Sequence, residues 1–156
     1  MKVHICAVGR LKTGPERELI QDYLSRFDRS GRALGLGPAV LHEVEDRKGG
    51  GMAAEASLLE RAVPDGALMA VLDERGKTLS SMDFADRLAR WRDEGRGDVA
   101  FVIGGADGID PGLRAKADMA LSFGPMVWPH MLARVMLSEQ LYRAASILAG
   151  SPYHRV

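Results

Sequence analysis

At 156 residues the chain is read as one domain, residues 1–156, too short for a (β/α)8 barrel, which takes about 250 residues. Hydrophobic residues make up 46 % and charged residues 27 %, which excludes a disordered chain. Lys+Arg and Asp+Glu stand at 21 each, so a strongly basic nucleic-acid binder is not indicated, while a local basic patch stays open.

The charge is unevenly spread. Residues 1–50 carry nine Lys/Arg against seven Asp/Glu, residues 51–120 nine against thirteen, and residues 121–156 three against one. Either this is chance, or the two mildly basic ends meet to form a positive surface that the total hides. Cys6 is the single cysteine and is read as a small core residue. With four scattered histidines it makes no ligand cluster, so no metal is expected. No run approaches the roughly 20 apolar residues of a membrane span, and the short apolar run after Lys2 is too brief for a secretory leader. The chain is expected to be soluble and cytoplasmic.

In chain order, the apolar run 3–8 closed by Gly9 predicts a buried strand. Gly14-Pro15 opens a helix, with Glu16 and Glu18 at its positive end and Leu19, Ile20, Tyr23, Leu24 and Phe27 as its apolar stripe. Residues 31–37 read as loop, 39–44 as a second strand, and 47–51 as a basic, glycine-rich loop. A helix over 52–63 and a Pro64-Asp65-Gly66 turn lead to a third, fully apolar strand over 67–72. Asp73 to Lys77 reads as a polar loop; Ser80 or Ser81 caps a helix over 82–94. The fourth strand, 99–103, runs into Gly104-Gly105-Ala106-Asp107-Gly108. A short helix from Pro111, a possible fifth strand over 119–123, a loop over 124–129 and a long helix from His130 to about Ala149 complete the pattern.

Strands and helices alternate, and the third and fourth strands are apolar on both faces. That predicts a mostly parallel sheet covered on both sides. Ligands of such sheets lie beyond the carboxyl ends of the strands. The loops at 73–77, 104–110 and 124–129 leave those ends.

The glycine cluster is not a dinucleotide fingerprint, because Ile103 stands where its first glycine belongs. Gly9 and Gly14 have the spacing of a P-loop, but Pro15-Glu16 replaces its Lys-Ser/Thr. The cluster is a plain tight turn or a place of close backbone approach. No G-x-S-x-G or H-E-x-x-H motif is present. The last helix is apolar around most of its circumference, so it is either the core of the monomer or half of a homodimer interface, with Leu141 a candidate interfacial residue. The terminus Pro152-Tyr153-His154-Arg155 carries a stacking ring, a titratable imidazole and a permanent cation; it is either a frayed end or a substrate-handling tail.

Leu72-Asp73-Glu74-Arg75-Gly76-Lys77, Phe101-Val102-Ile103-Gly104-Gly105-Ala106-Asp107-Gly108, Pro129-His130, Glu139-Gln140-Leu141-Tyr142-Arg143-Ala144 and Pro152-Tyr153-His154-Arg155 occur in this order. Jointly, and over the whole chain, they resemble the bacterial large-subunit ribosomal RNA pseudouridine N3-methyltransferases, small single-domain members of the SPOUT superfamily. The resemblance implies an α/β fold with a C-terminal trefoil knot, S-adenosylmethionine as cofactor, and a homodimer with the site at the subunit interface. It implies cofactor contacts at Leu72, Gly104, Phe123, Gly124, Pro125, Met126, Val127 and Trp128. Gly104 is expected to let the adenosine approach. Val127 stands where relatives commonly have Thr, and Val156 is an added terminal residue. His154 becomes the first candidate for taking the N3 proton, Arg155 for a phosphate or the anionic ring, and Tyr153 for stacking on the base. Arg143 and Glu139 are expected on the helix surface or interface, and His130 as a support for the cofactor loop. The implied partner is ribosomal RNA in the large subunit or whole ribosome. A nucleotide-binding α/β protein of another class and a non-catalytic ribosome-binding dimer are the alternatives.

Overall fold

The structure is a computed structural model that describes residues 1–155; the added Val156 lies outside the described residues. The chain runs β1 (Lys2–Val8), α1 (Pro15–Gly31), a 3-10 turn (Arg32–Leu34), β2 (Ala39–Val44), α2 (Gly51–Ala62), β3 (Leu68–Thr78), α3 (Ser81–Asp93), β4 (Asp98–Ile103), α4 (Pro111–Lys116), β5 (Met119–Ser122) and α5 (His130–Leu148). The strands form one sheet in the order β2-β1-β4-β3-β5. Every pairing is parallel, so all five carboxyl ends lie on one rim.

The two-residue period of the strands divides the core. On β4, Val99, Phe101 and Ile103 face α1, α3 and α5, while Ala100 and Val102 face α2 and α4. The first face is the larger. Ile20, Leu24 and Phe27 of α1, Phe84, Leu88 and Trp91 of α3, and Leu137 and Leu141 of α5 meet there. Each such side chain, once fully buried, contributes roughly 1.5–3 kcal/mol. Cys6 is fully buried on the opposite face, which raises its thiol to about 12.

Local chemistry sets the helix ends. Pro15 opens α1 behind Gly14, whose φ of 112° suits glycine. The Ser80 hydroxyl accepts the Asp83 N–H at 3.0 Å and caps α3. Asp110 accepts from the Gly112 and Leu113 amides at the start of α4.

Three expectations change. Asp73 to Lys77 is not a free loop: β3 runs on to Thr78, pairing β5 again at Lys77 and Thr78 after an irregularity that begins at Leu72. Gly76 permits this, since a β-carbon there would stand 2.6 Å from the Ala120 carbonyl. Leu141 is no interface residue, being fully buried in the monomer core. The histidines are not all scattered. His4 donates through Nε2 to Asp98 (2.8 Å), so its Nδ1 must accept from His42 Nε2 (3.0 Å), a tautomer assigned from the network.

Candidate functional site

At the irregularity of β3 and beyond the carboxyl ends of β4 and β5 lies a cleft of about 330 Å³. Leu72, Gly104, Phe123, Gly124, Met126, Val127 and Trp128 all line it; Pro125 sits in the same loop but not in the lining. Ile103, Ile109 and Leu121 supply further apolar wall. Tyr153, His154 and Arg155 are not part of this cleft.

The glycine loop is a tight hairpin. The Gly108 N–H donates to the Gly105 carbonyl at 3.0 Å, with Gly108 at a φ of 82°. A β-carbon on Gly104 would collide with the Gly108 carbonyl, before any ligand is considered. The closure of the loop by itself therefore demands glycine at 104, a constraint that stands beside the expected close approach of the ligand. One on Gly105 would stand 2.8 Å from a Glu55 carboxylate oxygen. Burial, with Asp107 and Asp46 nearby, pushes the Glu55 carboxyl up. Asp107 itself lines the cleft and is exposed.

Asp73 anchors the opposite wall. Its carboxylate is 5 % exposed and accepts from Arg114 (2.7 Å) and from the Arg75 amide (2.9 Å). Burial alone would raise this carboxyl; the hydrogen bonds from Arg75 and Arg114 outweigh it and hold it below the usual range. Ser122 accepts the Gly124 N–H at 3.0 Å and lies 3.0 Å from the Glu74 carbonyl, tying the start of the 123–129 loop to the extended β3.

The end of that loop is fixed by residues the sequence pattern did not single out. Arg134, on the first turns of α5, is fully buried. It donates to Glu43 Oε2 at the end of β2 (2.9 Å) and to the Val8 and Gly9 carbonyls at the end of β1 (3.0 and 3.2 Å). Glu43 also accepts from the Leu11 amide at 2.7 Å. One guanidinium thus bolts the start of α5 to two strand ends. His130 lines the cleft against Gly9, and burial followed by the nearby Arg134 charge lowers its pKa, which keeps the imidazole neutral at pH 7. Its Nδ1 is buried without a protein partner. The only sequence signal for Arg134 was a charge set in the apolar first two turns of the last helix.

The tail is docked rather than frayed. The Tyr153 hydroxyl donates to Glu139 Oε1 at 2.9 Å, and its ring lies 4.6 Å from Tyr142 and under the Arg143 guanidinium at 4.8 Å. Burial and the Glu139 carboxylate push the Tyr153 phenol up to about 12. Arg143 also pairs with Glu139 at 2.7 Å and donates to His154 Nδ1 at 3.1 Å. Arg155 is exposed. Glu139 and Arg143 therefore hold the tail against its own α5.

A parallel α/β sheet with a glycine-lined cleft at its carboxyl rim defines a ligand-binding α/β protein of the kind that holds a nucleotide-sized molecule. The family described as predicted SPOUT methyltransferase matches residues 1–154, and the chain belongs to that family. It is 76 % identical over 155 residues to ribosomal RNA large subunit methyltransferase H of Roseobacter denitrificans, covering 99 % of each chain. It is 73 % identical to the protein of that name from Dinoroseobacter shibae, over all of both chains. Among solved structures, a probable methylase family protein from Haemophilus influenzae superposes with a TM-score of 0.54 at 15 % identity, covering 99 % of this chain and 70 % of that one, which speaks for the fold alone.

Proposed function

We propose that the chain methylates N3 of a pseudouridine in large-subunit ribosomal RNA, using S-adenosylmethionine, in the cytoplasm. The observation that carries this reading is the family match over residues 1–154 on a chain that brings seven of the eight expected cofactor residues to one cleft. The cleft fits the cofactor. Leu72, Ile109 and Leu121 offer apolar wall to a purine, glycine backbone lies open on one side, and Asp107 and Glu74 place carboxylates in the lining of a site for a ligand that carries a sulfonium and an ammonium charge. The cofactor supplies, when bound, a methyl group already activated on a sulfonium sulfur.

The work left to the protein is positioning and the removal of one proton. The acceptor N3 is protonated in neutral pseudouridine, so a group near it must take that proton. His154 is the proposed acceptor, and Arg155 the cation that steadies the anionic ring or an adjoining phosphate. Tyr153 offers its ring to the extruded base. With Arg143 donating to Nδ1, neutral His154 carries its proton on Nε2, so Arg143 must release Nδ1 before the imidazole acts as base.

The tail does not line its own chain's cleft, which supports a homodimer in which each tail serves the partner's site. Leu19, 43 % exposed, lines an apolar groove with Tyr23, Val135 and Met136, and Met82 of α3 and Leu132 of α5 are also exposed, at 45 % and 42 %. Such an apolar face supports pairing through α1, α3 and α5. The reading also includes a trefoil threading of the segment from β5 to α5, as in the superfamily that the sequence resembles. A near-neutral chain favours the assembled particle over naked RNA, whose affinity depends on phosphate neutralisation.

The test is methylation of ribosomes purified from cells that lack the protein, read by mass spectrometry for N3-methylated pseudouridine. Calorimetry with S-adenosylmethionine and with NAD accompanies it. Binding of NAD alone, or an unmodified product, sinks the reading. Deleting Tyr153 to Val156 is expected to leave cofactor affinity nearly unchanged and to remove methylation; normal turnover by the truncated protein would dismiss the tail.

A further inference from the structure

A second groove, of about 520 Å³, runs along the outer strand β2 beneath α1, and the cofactor cleft does not use it. Arg17, Arg29 and Arg32 line it, together with two carboxylates, Asp28 and Glu43. Both acids are already engaged by the fold. Asp28 accepts the Ala39 N–H at 2.8 Å, and Glu43 is held by Arg134 and the Leu11 amide. Arg17 donates to the neutral Leu11 carbonyl at 2.6 Å. Among the described residues, none of the three arginines is in an ion pair, and Arg29 and Arg32 are exposed. The groove is thus a local surplus of cation in a chain of zero net charge.

We propose that this groove binds the sugar–phosphate backbone of the substrate RNA through Arg17, Arg29 and Arg32; the assignment rests on the reading that RNA is the substrate. Three features favour a polyanion. Guanidinium forks match phosphate oxygens, and here they are not spent on protein carboxylates. An outer strand leaves peptide N–H groups on its free side, which are common phosphate contacts. Finally, one end of the groove lies near the cofactor site, two contacts away through the buried Arg134. Glu43 closes one end of it, and its partner Arg134 binds the Gly9 carbonyl, while Gly9 lies against His130 in the cleft wall. Beyond that end, Lys12 is exposed on the loop that joins β1 to α1. A strand whose base enters the cleft can therefore continue into the groove.

The experiment compares wild type with Arg29→Gln, Arg32→Gln and the double variant on ribosomes from cells lacking the protein, at several salt concentrations. Neither arginine touches the cleft. The double variant is expected to raise KM for ribosomes about tenfold, with kcat and S-adenosylmethionine affinity unchanged. Its slope of log KM against log salt should fall by about one unit per arginine removed. Lysine at both positions should restore the slope, since it keeps the charge. Unchanged KM and slope overturn the assignment. So does a loss of thermal stability or cofactor affinity that accounts for the defect, and so does a shift in sedimentation, which would assign the groove to a subunit interface. If wild type leaves the ribosomes unmethylated while binding the cofactor, the substrate reading fails and the groove assignment falls with it.

Discussion

Gly104 and Arg134 do different work on the same cleft. At Gly104 the constraint is internal, because the Gly108 carbonyl occupies the place of a side chain. Gly104→Ala should therefore cost about 1–3 kcal/mol by overpacking even without cofactor. Chemical denaturation of the cofactor-free protein checks this, and wild-type stability would return the glycine to a ligand role. At Arg134 the constraint is electrostatic. Arg134→Met leaves Glu43 partly buried with only the Leu11 amide, and breaking a buried pair typically costs about 3–5 kcal/mol. Because Glu43 remains 20 % exposed, the lower end of that range is expected. Adding Glu43→Gln should recover part of the loss; strictly additive losses in the double-mutant cycle would deny the coupling.

At the scale of elements, α5 decides most. Its inner face joins the core, Val135 and Met136 line the apolar groove, and Leu132 is exposed. Met136→Asp is expected to convert a dimer to monomers in sedimentation at micromolar concentration and to abolish methylation; a monomeric wild type would refute the pairing. Mixed dimers give a sharper result. One chain lacking the tail paired with one whose glycine loop is broken by Gly104→Val, so that it cannot hold the cofactor, should keep about one working site, if tails act across the interface. The alternation of strands and helices, the Ser80 cap and β2 were legible because each rests on local chemistry. The extension of β3 was not, since Asp73-Glu74-Arg75-Gly76-Lys77 has turn composition and only the edge offered by β5 makes it a strand. Leu141 was legible as buried but not as buried by which surface. Arg134 was hidden because its partners lie at the other end of the chain, where no periodicity points.

At the scale of the whole molecule, the sheet hides its one thiol. With Cys6 fully buried and its thiol raised to about 12, the native protein should resist thiol reagents at pH 8 and react only after unfolding. Labelling of one equivalent in the folded state would contradict the central placing of β1. The tail should respond at the opposite extreme of pH. The Tyr153 phenol is raised in the fold, so its docking contribution is full below the ordinary tyrosine range near 10 and is lost as pH rises through about 12. A tyrosinate absorbance titration of wild type against Tyr153→Phe checks it: the variant should lack the last step.

The guanidinium that bolts α5 to β1 joins residues 126 positions apart, and β1 pairs with β4 only when Lys2 meets Asp98. During synthesis the first strand therefore waits, with one flank open, for most of the chain. Such non-local closure is slow, since loop entropy is spent before contacts repay it. The cleft gains its last wall from residues made near the end of translation. A nascent chain interrupted before Phe123 has the glycine hairpin but none of the 123–129 loop that lines the cleft with it. Premature products are thus born unable to capture the methyl donor, and competence arrives all at once, in the final steps of the protein's own manufacture.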